Sequence, residues 1–67
     1  METLDELMAV LDTCTEAQRR RFLLYALDGL TLAEIGTVCG CSKVAVYQSV
    51  EAVRKKFINF FENRLNE

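Results

Sequence analysis

The sequence predicts a small all-α domain of four helices that contains a helix-turn-helix. The chain has 67 residues, no proline and 51% hydrophobic residues, a composition that favours helices in a globular protein. Apolar residues recur at spacings of three and four, as they do on one face of a helix. Two capping boxes and two glycines mark where helices begin and end. The length predicts a single domain over residues 1–67.

The N-terminal half predicts two helices. The first is acidic, covers about residues 2–13 and places Leu4, Leu7, Met8 and Leu11 on one face. Thr15 begins a capping box with Gln18, so a second helix is expected from Glu16 to Asp28, with Gly29 ending it. Two adjacent apolar stripes of this helix are formed by Phe22, Ala26, Leu23, Leu27 and Leu30.

The helix-turn-helix is predicted over about residues 31–50. Thr31 and Glu34 form the second capping box, so a short third helix begins at Leu32 and ends before Gly40. Ile35-Gly36 supplies an apolar and then a small residue, which lets the next helix cross closely. Ser42 caps a fourth helix that runs to about Asn63. The inner stripe of this helix consists of Val46, Val50, Val53, Phe57 and Phe60.

One position departs from the usual helix-turn-helix pattern. Ser49 stands three residues after Val46, where a second buried aliphatic residue is usual. We expect Val50 to take over that role through a slight rotation of the helix.

The fourth helix carries more apolar surface than one core needs. Ile58, Phe61 and Leu65 form a second stripe, and the first helix is expected to cover part of it. We expect the remainder to support a homodimer or a partner contact, because large exposed apolar patches usually mark interfaces. Residues 64–67 are expected to fray.

Cysteine and histidine content argues against a metal site and against catalysis. Cys39-Gly40-Cys41 resembles a ligand pair, but with only Cys14 in addition and no histidine, a tetrahedral zinc site lacks a convincing fourth ligand. We interpret the three cysteines as small, buried, reduced core residues. No glycine-rich phosphate loop is present, and Ser42 and Ser49 have no candidate base. The sequence therefore predicts no enzyme and no cofactor.

Charge and hydropathy indicate what the protein can bind and where it is expected to act. The net charge is −2, yet the first sixteen residues carry five acidic and no basic residues, whereas residues 43–67 carry five basic and three acidic ones. This separation is compatible with nucleic-acid binding. No apolar run reaches the ~18 residues of a membrane span, and no signal peptide is visible. We expect a cytoplasmic protein that does not associate with membranes.

The outward face of the fourth helix holds the candidate base-reading residues Lys43, Val44, Tyr47, Gln48 and Glu51. Lys43 can donate to guanine or to a phosphate, Gln48 can pair with adenine, and Val44 can touch a thymine methyl group. Glu51 can accept from cytosine or repel the DNA backbone, and Tyr47 can reach a phosphate. The candidate phosphate contacts are Arg19, Arg20, Thr31, Ser42, Arg54 and Lys55. The arginine run and Lys55-Lys56 are also compatible with a solvated surface.

Several of these segments together resemble a known family. They are Thr15-Glu-Ala-Gln-Arg-Arg-Arg-Phe22, Asp28-Gly-Leu-Thr-Leu-Ala-Glu-Ile35, Gly40-Cys-Ser-Lys43 with Val46, and Val53-Arg-Lys-Lys-Phe57. Residues 15–57 resemble the fourth conserved region of sigma-70 family transcription initiation factors. The chain is similar in particular to short sigma-like helix-turn-helix proteins of bacterial mobile elements and phages.

The resemblance implies sequence-specific binding of double-stranded DNA by the helix that begins at Lys43. In sigma factors that helix enters the major groove of the promoter −35 element, and the domain also contacts RNA polymerase. We expect a stand-alone transcription regulator or an accessory to polymerase, because the chain has room for no other sigma region. The alternative is a protein-interaction module that uses the same scaffold without binding DNA, since fold alone does not fix function.

Overall fold

Residues 2–65 form four helices, as the sequence predicts. The computed structural model describes the backbone of residues 2–65 and the side-chain surroundings of residues 4–63. The helices are α1 (Glu2–Asp12), α2 (Glu16–Ala26), α3 (Leu32–Cys39) and α4 (Lys43–Leu65). No strand occurs within residues 2–65. The all-α fold class is confirmed.

The helix ends follow the predicted capping signals. The hydroxyl of Thr15 accepts a hydrogen bond from the amide of Gln18, and the side chain of Gln18 accepts one from the amide of Thr15. Thr31 and Glu34 form the same reciprocal pair of hydrogen bonds. Gly29 and Gly40 both have φ of 69°, which glycine adopts without steric cost. Helix α2 ends at Ala26 rather than Asp28, with Leu27 as its C-cap.

The C-terminal end differs from the expectation of a frayed tail. Helix α4 continues through Arg64 to Leu65, so these two residues are helical. The other residues expected to fray, Asn66 and Glu67, lie outside the described residues, as does the side chain of Leu65.

Among the described residues, two apolar clusters hold the helices together. The first, the α1 cluster, consists of Leu11, Cys14 and Val53, with Phe22, Leu23 and Phe57 packed against it. The second, the helix-turn-helix cluster, consists of Ile35, Val46 and Val50. Phe22 packs against both clusters, and its ring lies 5.6 Å from that of Phe57. Helix α2 therefore joins the helix-turn-helix to the rest of the domain.

The predicted apolar faces of α1 and α2 are correct only in part. Val10 and Leu11 are buried, whereas Leu4, Met8 and Leu27 are 60%, 50% and 77% exposed. Helix α1 is turned so that Val10, Leu11 and the following Cys14 face inward. Leu27 follows the last turn of α2, where most of its side chain stays open to solvent.

The cysteine prediction is correct for one residue of three. All three are free thiols, but only Cys14 is buried, whereas Cys39 and Cys41 are half-buried. Both pack at the edge of the helix-turn-helix cluster, on either side of the Gly40 turn, where one side of each side chain remains open. Within the described residues, no helix combines the length and the hydropathy that a membrane span requires.

Candidate nucleic-acid interface

The turn between α3 and α4 sets the position of the candidate recognition helix. Gly40 caps α3 in the left-handed conformation, and the amide of Cys41 donates to the carbonyl oxygen of Gly36 at 2.9 Å. A Cβ atom on Gly36 would lie 2.7 Å from the carbonyl oxygen of Cys41, closer than any ordinary contact. The small residue predicted after Ile35 is therefore required, because the turn backbone passes directly over it.

The start of α4 is fixed by Ser42. Its Oγ accepts the amide of Ala45 at 3.1 Å, and its carbonyl oxygen accepts the amide of Val46, also at 3.1 Å. This is the predicted N-cap. The Ser42 hydroxyl proton is not used by the cap, so it can still be donated to a phosphate oxygen.

The first two turns of α4 separate an inner face from an outer face. Val46 and Val50 are 0% and 6% exposed and belong to the helix-turn-helix cluster. Lys43, Val44, Tyr47 and Gln48 are exposed, Val44 by 64% and Tyr47 by 54%. The structure thus brings four of the five candidate base-reading residues together on one open surface. We call residues 43, 44, 47 and 48 the reading surface.

The fifth candidate, Glu51, is engaged within the protein. Its carboxylate accepts two hydrogen bonds of 2.9 Å from Nε and Nη2 of Arg54, one turn further along α4. These hydrogen bonds lower the pKa of Glu51 and raise that of Arg54. A candidate base contact and a candidate phosphate contact therefore neutralise each other at the edge of the reading surface.

The remaining phosphate candidates lie on several elements. Lys55 and Arg20 are exposed, and neither has an ion-pair partner among the described residues. Arg19 lies 3.7 Å from Asp12 of α1. Thr31 is exposed and caps α3, and the hydrogen bond that its backbone amide donates to the Glu34 carboxylate is the largest cause of the lowered pKa of Glu34. These residues lie on α2, at the N-cap of α3 and on α4.

Two polar contacts of basic residues were not anticipated from the sequence. Arg21 donates from Nη1 to the Oγ of Ser49 at 2.9 Å, and Ser49 donates to the carbonyl oxygen of Ala45 at 3.0 Å. Lys56 donates from Nζ to the carbonyl oxygen of Thr13 at 2.7 Å. The sequence carried a signal for the contact between Arg21 and Ser49, because a hydroxyl group at a buried helix position requires a hydrogen-bond partner. Arg21 joins α2 to α4, and Lys56 joins α4 to the turn that follows α1.

No cluster of three or more metal-ligating side chains is found among the described residues. What the geometry does define is a short capped helix, a glycine turn and a second capped helix with an exposed N-terminal surface. These features define a helix-turn-helix protein.

Comparison with models of protein families assigns the chain to one family. The model of sigma-70 region 4 matches residues 4–57, which is most of the chain, so the protein belongs to the sigma-70 region 4 family. Members of this family are non-enzymatic helix-turn-helix domains that act in transcription and bind DNA and RNA polymerase. Comparison with curated proteins and with solved structures found no match.

Proposed function

We propose that this protein is a sequence-specific DNA-binding regulator of transcription that acts as a single domain and places α4 in the major groove. The observation that carries the proposal is the reading surface. Its four side chains are open to solvent at the N-terminal end of the second helix of a helix-turn-helix, the end that contacts base edges in proteins of this kind. The side chains of Val44 and Tyr47 are exposed and do not belong to the core.

The chemistry of the reading surface suits mixed base contacts. Gln48 can form two hydrogen bonds with adenine, and Lys43 can donate to the acceptors of guanine. Val44 offers a methyl contact to thymine, while Tyr47 can reach a phosphate through its hydroxyl. Glu51 already accepts two hydrogen bonds from Arg54, and its remaining lone pairs can accept one from the amino group of cytosine.

Phosphate contacts would come from basic residues and helix N-termini around the reading surface. Lys55 and Arg20 are exposed and without an ion-pair partner among the described residues. Arg54 can donate its remaining Nη1 protons to a phosphate while it holds Glu51, and Arg19 can do so when it leaves Asp12. Thr31 and Ser42 can donate their hydroxyl protons from the N-caps of α3 and α4. Such contacts position the protein without reading sequence.

A rival function is supported by charge and by apolar surface. The net charge of −2 is unusual for a DNA-binding domain, and Ile58 and Phe61 of α4 are each 40% exposed. Both features suit a module that binds protein, with RNA polymerase or a regulator as its partner. The rival predicts no salt-dependent affinity for DNA, which any DNA-binding protein shows because it releases counterions.

The experiment that tests the proposal is selection from a pool of random-sequence duplexes. We expect enrichment of one motif with the wild-type chain and relaxed preference at one position with Gln48→Ala or Lys43→Ala, a loss of about 1–3 kcal/mol for each base contact. Asn59→Ala is the matched control, because Asn59 is another exposed residue of α4, three turns beyond the reading surface. Enrichment of no motif by the wild-type chain would contradict the proposal.

A further inference from the structure

An apolar groove runs along the C-terminal half of α4. Its floor and walls are formed by Leu7 of α1, Phe22 of α2 and Phe57, Ile58 and Phe61 of α4. The rings of Phe57 and Phe61 stack at 6.5 Å. Ile58 and Phe61 remain 40% exposed, so α1 and α2 cover only one side of these residues. Apolar side chains in this arrangement gain stability from a covering partner.

The charged residues at the rim of this groove are arranged symmetrically. Arg54 lies at one end and Glu62 at the other, on the same helix. They are eight residues apart, about 12 Å along the helix axis, and Ile58 lies midway between them. A surface with opposite charges at equal distances from its centre is complementary to a copy of itself turned by a two-fold rotation.

Both rim charges have the capacity for such a contact. Arg54 uses Nε and Nη2 to hold Glu51, and its Nη1 protons remain available. Glu62 is exposed, and it has no ion-pair partner among the described residues. The Arg54 guanidinium can therefore bind a second carboxylate without releasing the first.

We propose that the groove is occupied by a second copy of this chain. The two α4 helices pack antiparallel about a two-fold axis beside Ile58. Ile58 and Phe61 of each copy enter the groove of the other, and Arg54 of each copy meets Glu62 of the other at both ends. Charge complementarity selects the antiparallel register, while burial of the apolar side chains supplies most of the stability.

The proposed dimer has a consequence for DNA binding, and this consequence rests on the proposed function. Tyr47 lies eleven residues before Ile58, so the two reading surfaces would be about 33 Å apart along the paired helices. This spacing is close to one turn of B-DNA, the separation at which paired helix-turn-helix domains bind. A two-fold pair predicts a DNA site made of two inverted half-sites.

The decisive experiment is a charge exchange measured without DNA, so that its failure leaves the DNA-binding proposal untouched. The molar mass of the full chain is measured by sedimentation over a range of concentrations for the wild type, Arg54→Glu, Glu62→Arg, the double variant and an equimolar mixture of the two single variants. Circular dichroism checks that each variant is folded. Both side chains are exposed, so folding is expected to survive.

The geometry predicts a specific pattern of masses. The wild type dimerises with rising concentration, and each single variant shifts the midpoint at least tenfold higher because like charges meet at both ends. The double variant and the mixture recover wild-type association, because opposite charges meet again. A chain that stays monomeric throughout, single variants that dimerise like the wild type, or a mixture that fails to recover would each overturn the proposal.

Discussion

The guanidinium of Arg21 donates a hydrogen bond to the Oγ of Ser49 across 2.9 Å, and this contact ties α2 to the first half of α4. Ser49 is 8% exposed and donates a hydrogen bond to the carbonyl oxygen of Ala45. The arrangement replaces the aliphatic residue that a helix-turn-helix usually buries here with a satisfied polar pair. It also removes one cation of the arginine run from the set that is free to contact DNA.

Replacing Arg21 with alanine is expected to lower the free energy of unfolding by about 1–2 kcal/mol, because Ser49 would lose its partner and α2 would lose the packing of the arginine stem. Urea unfolding measures this loss. Arg20→Ala is the matched control, since Arg20 is exposed and its loss should change stability by no more than about 0.5 kcal/mol. Equal effects of the two substitutions would show that the Arg21–Ser49 contact contributes nothing.

Gly36→Ala is expected to destabilise the fold by about 1–3 kcal/mol. The new Cβ would lie 2.7 Å from the Cys41 carbonyl oxygen, and backbone on both sides leaves little room for adjustment. Thermal unfolding checks this expectation. Gly40 provides a contrast, because a Cβ there meets nothing within 4 Å and only the φ of 69° opposes substitution. Gly40→Asn should therefore cost less than Gly40→Ala, since asparagine tolerates this conformation better. A neutral Gly36→Ala would mean that the turn can move away from α3.

Thr31 allows the capping role to be separated from the proposed phosphate role. Thr31→Ala removes the acceptor of the Glu34 amide and should cost about 1 kcal/mol of stability. Thr31→Asp keeps a good N-cap and favours the helix dipole, but it places a negative charge where a phosphate is proposed. We expect Thr31→Asp to fold as stably as the wild type and to bind duplex DNA more weakly. Unchanged DNA affinity in Thr31→Asp would remove this residue from the proposed interface.

Acid is expected to destabilise the protein through two carboxylates. Hydrogen bonds from Arg54 and from Thr31 lower the pKa values of Glu51 and Glu34 below the ordinary 4.5. Because the folded-state pKa values are the lower ones, the stabilisation is present above the unfolded pKa and is lost as pH falls through the folded one. The melting temperature should therefore fall as pH drops below about 4.5, and it should fall less steeply for Glu51→Gln and Glu34→Gln. The same pH dependence in the wild type and both variants would contradict this assignment.

Local signals in the sequence determine most of the fold. The two capping boxes, Gly40 and Ser42 each act within one turn of chain, and the structure contains each of them as predicted. Gly29 has the predicted positive φ, but it lies two residues after the C-cap Leu27. The inner stripe of α4 follows from helix periodicity alone, and its first members, Val46, Val50 and Val53, are all buried. These features are predictable because they do not depend on which helix packs where.

The errors arise where the relative rotation of helices decides the outcome. The pattern of α1 offers two overlapping apolar faces, and only packing against α4 selects the one with Val10 and Leu11 over the one with Leu4 and Met8. The pairing of Arg21 with Ser49 joins residues that are 28 positions apart, which periodicity does not detect. The exposure of the reading surface was predictable, whereas the ion pair of Glu51 with Arg54 depends on their side-chain conformations.

The most direct test of the central claim is the salt dependence of binding between the wild-type chain and its selected duplex, followed by fluorescence anisotropy. We predict that affinity falls steeply as salt rises and that Lys55→Ala reduces the slope of log affinity against log salt by about 1 while preserving the sequence preference. An isolated chain that shows no binding to any duplex at low salt would contradict the account and would favour the protein-interaction module.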